Sequence, residues 1–147
     1  MKPADFDFIS KLVRERSGLV LTPEKAYLIE SRLGPVARTE GMAGIEEVIQ
    51  ALRLQKGGAL SDKVVDAMTT NETFFYRDKT PFDILEQVVL PDVVARKRGQ
   101  PIKIWCAAAS TGQEPYTIAM VCDAMGHKLG GSRVEIVGTD ISDRCLE

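Results

Sequence analysis

The sequence predicts a mixed fold, a small all-α domain followed by the start of an α/β domain with a parallel sheet, and three observations carry this. Through residue 68 the apolar residues recur three and four apart, as on one face of a helix. Beyond residue 100 two short apolar runs bracket one helical stretch, which is a βαβ unit, and strands joined by such a crossover pair in parallel. Between these parts a polar stretch holding an aromatic trio follows neither period. The expected parts are a helical domain over residues 1–68, a connecting loop and helix over 69–100, and a partial α/β domain over 101–147.

Phe8, Ile9, Leu12 and Val13 give the first helix its apolar face. Thr22-Pro23 starts the second, with a hydroxyl to accept from free N–H groups and a proline whose missing N–H costs nothing at a first helical position. Leu28, Ile29, Leu33, Val36 and Ala37 are its buried side. Gly41 and Gly44 separate it from a third helix on Ile45, Val48, Ile49 and Leu52, and Gly57-Gly58 marks the next turn. Ser61 is placed to cap a fourth helix carrying Val64, Val65 and Met68. Thr80-Pro81 opens another by the same cap chemistry, with Phe82, Leu85 and Val89 on one face, and Pro91 breaks or kinks it. The run Ile102-Lys103-Ile104-Trp105-Cys106-Ala107, entered from Pro101, suits a buried strand. A helix starting at Pro115 and carrying Ile118, Ala119, Val121, Cys122 and Met125 ends at Gly126. Val134, Glu135, Ile136, Val137 and Gly138 form the second strand, which ends at Thr139-Asp140.

The charge balance narrows the function. The 147 residues carry 19 basic and 21 acidic groups, a net charge of -2, and neither part departs far from neutrality: 10 basic and 10 acidic over 1–68, 9 and 11 over 69–147. Binding to a nucleic-acid backbone needs a clustered basic excess, so no nucleic acid is expected as partner. Cys106, Cys122 and Cys145 are odd in number and lack CxxC spacing, and the first two lie in apolar segments. That pattern fits reduced buried thiols in a reducing compartment better than a disulfide or a metal site. No apolar run reaches the ~18 residues of a membrane span, and residues 1–7 lack the apolar core of a signal peptide, so a cytoplasmic location is expected.

Three segments have the composition of a site. Ala108-Ala109-Ser110-Thr111-Gly112-Gln113-Glu114 joins a strand to a helix, and its small side chains let a ligand approach the backbone as nucleotides do in α/β folds. Its single glycine is not the GxGxxG pattern of a dinucleotide site, and a tight structural turn has the same spacing. Asp140 stands at the carboxyl end of the second strand, where an acidic residue accepts from ribose hydroxyls; an N-cap or turn aspartate ahead of Ile141-Ser142-Asp143 is the plainer account. Glu114 equally suits a helix N-terminus. Thr69-Thr70-Asn71-Glu72-Thr73-Phe74-Phe75-Tyr76-Arg77-Asp78 is dense enough in hydroxyl, amide, aromatic and charged groups to be a binding loop. It also fits a Thr69/Glu72 capping box with core aromatics and an Arg77–Asp78 surface pair. His127, beside Gly126 in a polar turn, is read as a surface residue.

Taken in order, Thr70-Asn71-Glu72-Thr73-Phe74-Phe75-Tyr76-Arg77-Asp78, then Trp105-Cys106-Ala107-Ala108-Ala109-Ser110-Thr111-Gly112-Gln113-Glu114-Pro115-Tyr116, then Gly138-Thr139-Asp140-Ile141-Ser142, the chain resembles the CheR family of chemotaxis receptor methyltransferases. The resemblance implies a Rossmann-like S-adenosylmethionine-dependent methyltransferase domain after the helical one, stopping here after its second strand. It implies methyl transfer to receptor glutamate carboxylates, giving methyl esters and S-adenosylhomocysteine, with the cytoplasmic domain of a methyl-accepting chemotaxis receptor as partner and no metal. It assigns cofactor contacts to Asn71, Thr73, Arg77, Ala108, Glu114 and Asp140, and the catalytic role to Arg77. Lys25 and Arg32, seven apart on one edge of the second helix, can meet an acidic receptor, though two charges are ordinary for a solvated face. A chain ending so soon after the second strand is expected to be inactive alone, and its open sheet edge to favour self-association. The competing readings are a methyltransferase for another acceptor, and a partner-binding helical module that at most senses the cofactor.

Overall fold

A computed structural model describes residues 1–54 and 58–147, so the expected turn residue Gly57 lies outside the described residues. The chain forms two compact units, Met1–Thr70 and Asn71–Glu147.

The first unit is helical. Helix α1 (Pro3–Ser17) ends on Gly18, whose left-handed conformation (φ 74°) returns its N–H to the Arg14 carbonyl. A 3₁₀ turn (Pro23–Lys25) leads into α2 (Ala26–Thr39), followed by α3 (Ile45–Leu54) and α4 (Ala59–Met68). Ile9, Val13, Ile29, Leu33, Val48, Leu52, Val64 and Met68 form one buried cluster, drawn from all four helices. The helical periods hold, but two of the expected caps do not form. Thr22 precedes the 3₁₀ turn and makes no side-chain cap bond; its hydroxyl instead interacts with Glu24, the first cause of a carboxyl held below its ordinary range. Ser61 lies inside α4, which starts two residues earlier after Gly58, and its buried hydroxyl has no partner among the described residues.

The second unit opens with a loop and one long helix in three parts: α5 (Thr80–Ile84), a widened π turn (Leu85–Val89) and α6 (Leu90–Lys97). Thr80 is the first helical residue rather than the cap, which is Lys79. Pro91 does not break this helix. In the π turn the Leu90 N–H reaches back five residues to the Leu85 carbonyl, so the backbone is already off the regular ladder where the proline enters. The extra residue moves the buried face on by one. Leu90 is buried where Val89 was expected, and Val89 faces solvent.

Strands β1 (Ile102–Ala107) and β2 (Val134–Thr139) pair in parallel, with Ile102 opposite Val134 and Ala107 opposite Thr139. Between them runs α7 (Gln113–Met125), which begins after Gly112 (φ 96°) and stops at Gly126. It starts two residues before Pro115, which costs nothing because the early N–H groups of a helix have no partner within it. A last short helix, α8, spans Asp143–Leu146. Phe82, Leu90, Cys106, Ile118, Val121, Cys122 and Met125 are buried together, with Ile104, Val134 and Ile136 packed against them. The alternate strand residues face the other way, and there Trp105 is 71% and Val137 57% exposed. All three cysteines are free, Cys106 and Cys122 buried and Cys145 half-buried.

Candidate functional site

The candidate site lies where β1 and β2 end. The chain leaves β1 through a turn that holds two non-glycine residues, Ala108 (φ 62°) and Ser110 (φ 50°), in the left-handed region before Gly112 admits it to α7. Such backbone persists only where its surroundings hold it, and the partners here are specific. The Ala109 N–H donates to the Thr139 carbonyl at 2.9 Å, and the Ser110 N–H to Asp140 Oδ2 at 2.7 Å. Asp140 Oδ1 accepts from the Ser142 N–H at 2.9 Å. Asp140 is thus a turn-forming aspartate that clamps the end of β2 to the turn after β1. Each of its oxygens has a second lone pair available. Gly138 allows the close approach, because a Cβ there would stand 2.9 Å from that of Ala109.

The Asn71 segment joins the same cluster. The Ser110 hydroxyl donates to the Asn71 carbonyl at 2.8 Å, and the Asn71 amide reaches Ser142 Oγ at 3.4 Å. Further along, the Tyr76 N–H donates to Thr117 Oγ1 at 3.2 Å, and that hydroxyl donates to the Gln113 carbonyl at 2.6 Å within α7. Loop, turn and strand end are one hydrogen-bonded assembly. Ser110, Thr117 and Ser142, nearly or fully buried, hold it together.

Among the expected site residues, Asn71 and Asp140 enter this network directly, and Ala108 is exposed on the turn beside it. Thr73 is half-buried in the loop. Glu114 lies exposed in the first turn of α7, near Cys106. Burial first, then the Glu114 charge and its hydrogen bond, push the Cys106 thiol above its usual range. Arg77 is partly exposed, with Nη1 donating to the Glu72 carbonyl at 2.6 Å and the guanidinium 5.7 Å from the Phe74 ring centre. Of the capping-box alternative for this loop only the Arg77–Asp78 surface pair forms, at 4.0 Å: Thr69 ends α4 rather than starting a helix, and Phe74, Phe75 and Tyr76 are exposed instead of forming core. Among the described residues no three His, Cys, Asp or Glu side chains are grouped to hold a metal ion.

Arg32 also departs from expectation. Its guanidinium donates to the Met68 carbonyl at 2.6 Å, the Thr69 carbonyl at 3.0 Å and Thr70 Oγ1 at 3.1 Å. It therefore satisfies carbonyls at the end of α4 and is not a free cation beside Lys25, which precedes α2 in the 3₁₀ turn. Ser110, Thr117, Ser142 and Arg32 were missed as positioning residues because nothing in their local pattern announces partners so far away in sequence.

Comparison with known proteins places these features. Residues 4–69 match the CheR methyltransferase all-alpha domain, and residues 71–147 the CheR methyltransferase SAM binding domain. Over 97% of its length the chain is 41% identical to chemotaxis protein methyltransferase 1 of Pseudomonas aeruginosa, of which it covers 53%. It is 42% identical to a chemotaxis protein methyltransferase of Vibrio parahaemolyticus over 94% of this chain and 50% of that one. The corresponding Salmonella typhimurium protein is 33% identical over the whole chain and 49% of the relative. The chain spans about half the length of the curated relatives it matches. With an all-α domain followed by the start of an S-adenosylmethionine-binding α/β domain, it belongs to the CheR methyltransferase family.

Proposed function

We propose that the complete protein transfers the methyl group of S-adenosylmethionine to glutamate side chains in the cytoplasmic domain of a chemoreceptor, and that it does so in the cytoplasm. The observation that carries this is the joining of the Asn71 loop, the turn at residues 108–112 and Asp140 into one network at the carboxyl ends of two parallel strands. That is where open α/β sheets bind nucleotide-like ligands. The residues fit the cofactor: Ala108 offers only a methyl group on an exposed turn, and Asp140 keeps lone pairs for ribose hydroxyls. Asn71, Thr73 and Glu114 are the further cofactor contacts we propose, and the free thiols fit a reducing compartment.

Bound S-adenosylmethionine supplies an electrophilic sulfonium methyl group, which leaves the C–S electron pair on sulfur as S-adenosylhomocysteine. The protein's own task is orientation. A glutamate carboxyl with a pKa of about 4.3 is already ionised at neutral pH, so no residue need act as general base. Arg77 holds that carboxylate in line with the methyl group, its positive charge matched to the acceptor and its planar fork to the two oxygens.

Arg77→Ala in the complete protein is expected to lower kcat/KM by about 100-fold or more while S-adenosylhomocysteine still binds, because a misplaced reactant costs on that scale. Asp140→Ala is expected to abolish S-adenosylhomocysteine binding in a calorimetric titration. Full turnover by the Arg77 variant would overturn its catalytic role, and undiminished binding by the Asp140 variant would overturn the cofactor site.

A further inference from the structure

We propose that Glu72 and Asp78 occupy the seat on Arg77 that the acceptor carboxylate takes, so that acceptor entry is an exchange of carboxylates on one edge of a guanidinium. This rests on the assignment of Arg77 as the residue that holds the acceptor.

The Arg77 guanidinium is held by two contacts of a kind that an incoming carboxylate does not displace. Nη1 donates to the Glu72 backbone carbonyl at 2.6 Å, and the Phe74 ring centre lies 5.7 Å from Cζ. What remains is the Nε/Nη2 edge, whose two N–H bonds point the same way and match the two oxygens of one carboxylate. In this structure two different carboxylates share that edge, and each does so poorly. Glu72 Oε2 is 3.5 Å from Nη2, and Asp78 Oδ2 is 4.0 Å from Nε. A strong charge-assisted bond is about 2.7–2.9 Å long. The Glu72 and Asp78 side chains are 68% and 80% exposed, so both are free to swing into water. Glu72 also lacks the capping role that would otherwise explain its position.

One bidentate carboxylate therefore replaces two loose single contacts. The anchors on Nη1 and the ring face stay in place, so the guanidinium is already oriented when the acceptor arrives. The seat also sorts acceptors by chemistry. An ionised glutamate satisfies both N–H groups, whereas a glutamine side chain offers one oxygen and no charge, and gains nothing by displacing Glu72. Exposed ion pairs of this kind are worth at most about a fivefold factor in an equilibrium constant, so exchange is readily reversed and Glu72 tunes affinity without blocking the site.

The test compares the complete wild-type protein with its Glu72→Gln variant, both saturated with S-adenosylhomocysteine. Each is titrated with a soluble chemoreceptor cytoplasmic fragment from the same organism, carrying either glutamate or glutamine at its acceptor positions. We expect Glu72→Gln to bind the glutamate form more tightly, by up to about fivefold, and the glutamine form no differently. An unchanged or weaker Kd for the glutamate form, or an equal change for both forms, overturns the exchange. Arg77→Ala in the same titration separates this failure from that of the underlying reading: if it retains the wild-type preference for glutamate over glutamine, Arg77 does not hold the acceptor at all.

Discussion

The two units solve the burial of apolar residues differently. In Met1–Thr70, Ile9, Ile29, Leu33, Val48 and Val64 are completely buried, and helix packs on helix until the cluster closes. In Asn71–Glu147 a similar cluster covers one face of the β1–β2 pair and leaves Trp105 and Val137 exposed on the other. The exposed face belongs to the unit that matches the SAM binding domain, and the chain spans about half the length of the curated relatives it matches. Completeness of burial is thus a property of each unit and not of the chain.

Three substitutions test this contrast. Leu33→Ala in the closed core should cost the most, about 2–5 kcal/mol, read from urea unfolding followed by far-UV circular dichroism; a cost under about 1 kcal/mol would show that the helical core is not closed. Gly138→Ala should cost less, about 1–3 kcal/mol, because the strand can shift to relieve the 2.9 Å approach to Ala109. Trp105 is the sole tryptophan, so its fluorescence reports that loss from the second unit alone. Trp105→Ala should cost least, within about 0.5 kcal/mol, because the ring is exposed and its main tie is one Nε1–H bond to Thr139 Oγ1 at 2.9 Å. Amide hydrogen exchange across β1 and β2 measures it. A larger loss there would mean that the bare face contributes stability, and the contrast would fall.

The elements themselves were legible because their signals are local. Ile102 to Ala107 and Val134 to Thr139 announced strands by short apolar runs, and Ile45 to Leu52 announced a helix by its period. Helix starts were less so. A hydroxyl beside a helix marks a cap only if its oxygen turns back to the free N–H groups; Thr22 precedes its turn without making that bond, and Ser61 and Thr80 lie inside their helices. At the site, Asn71 and Asp140 stood out by motif. Ser110 and Ser142 did not, because a serine whose hydroxyl joins segments 39 or 71 residues apart reads locally like any turn serine. Arg32 carried an obvious charge whose use depends on where α4 ends, which no pattern within α2 encodes.

The π turn at Leu85–Val89 has a consequence of phase. Phe82 and Leu85 keep time with a regular helix, and Leu90 and Val94 keep time with each other, but between Leu85 and Leu90 the beat is five residues long. A hydrophobic period counted straight through this helix slips out of step by one residue at Pro91. A relative that lacks the widened turn would need a one-residue gap there for its buried positions to line up with these.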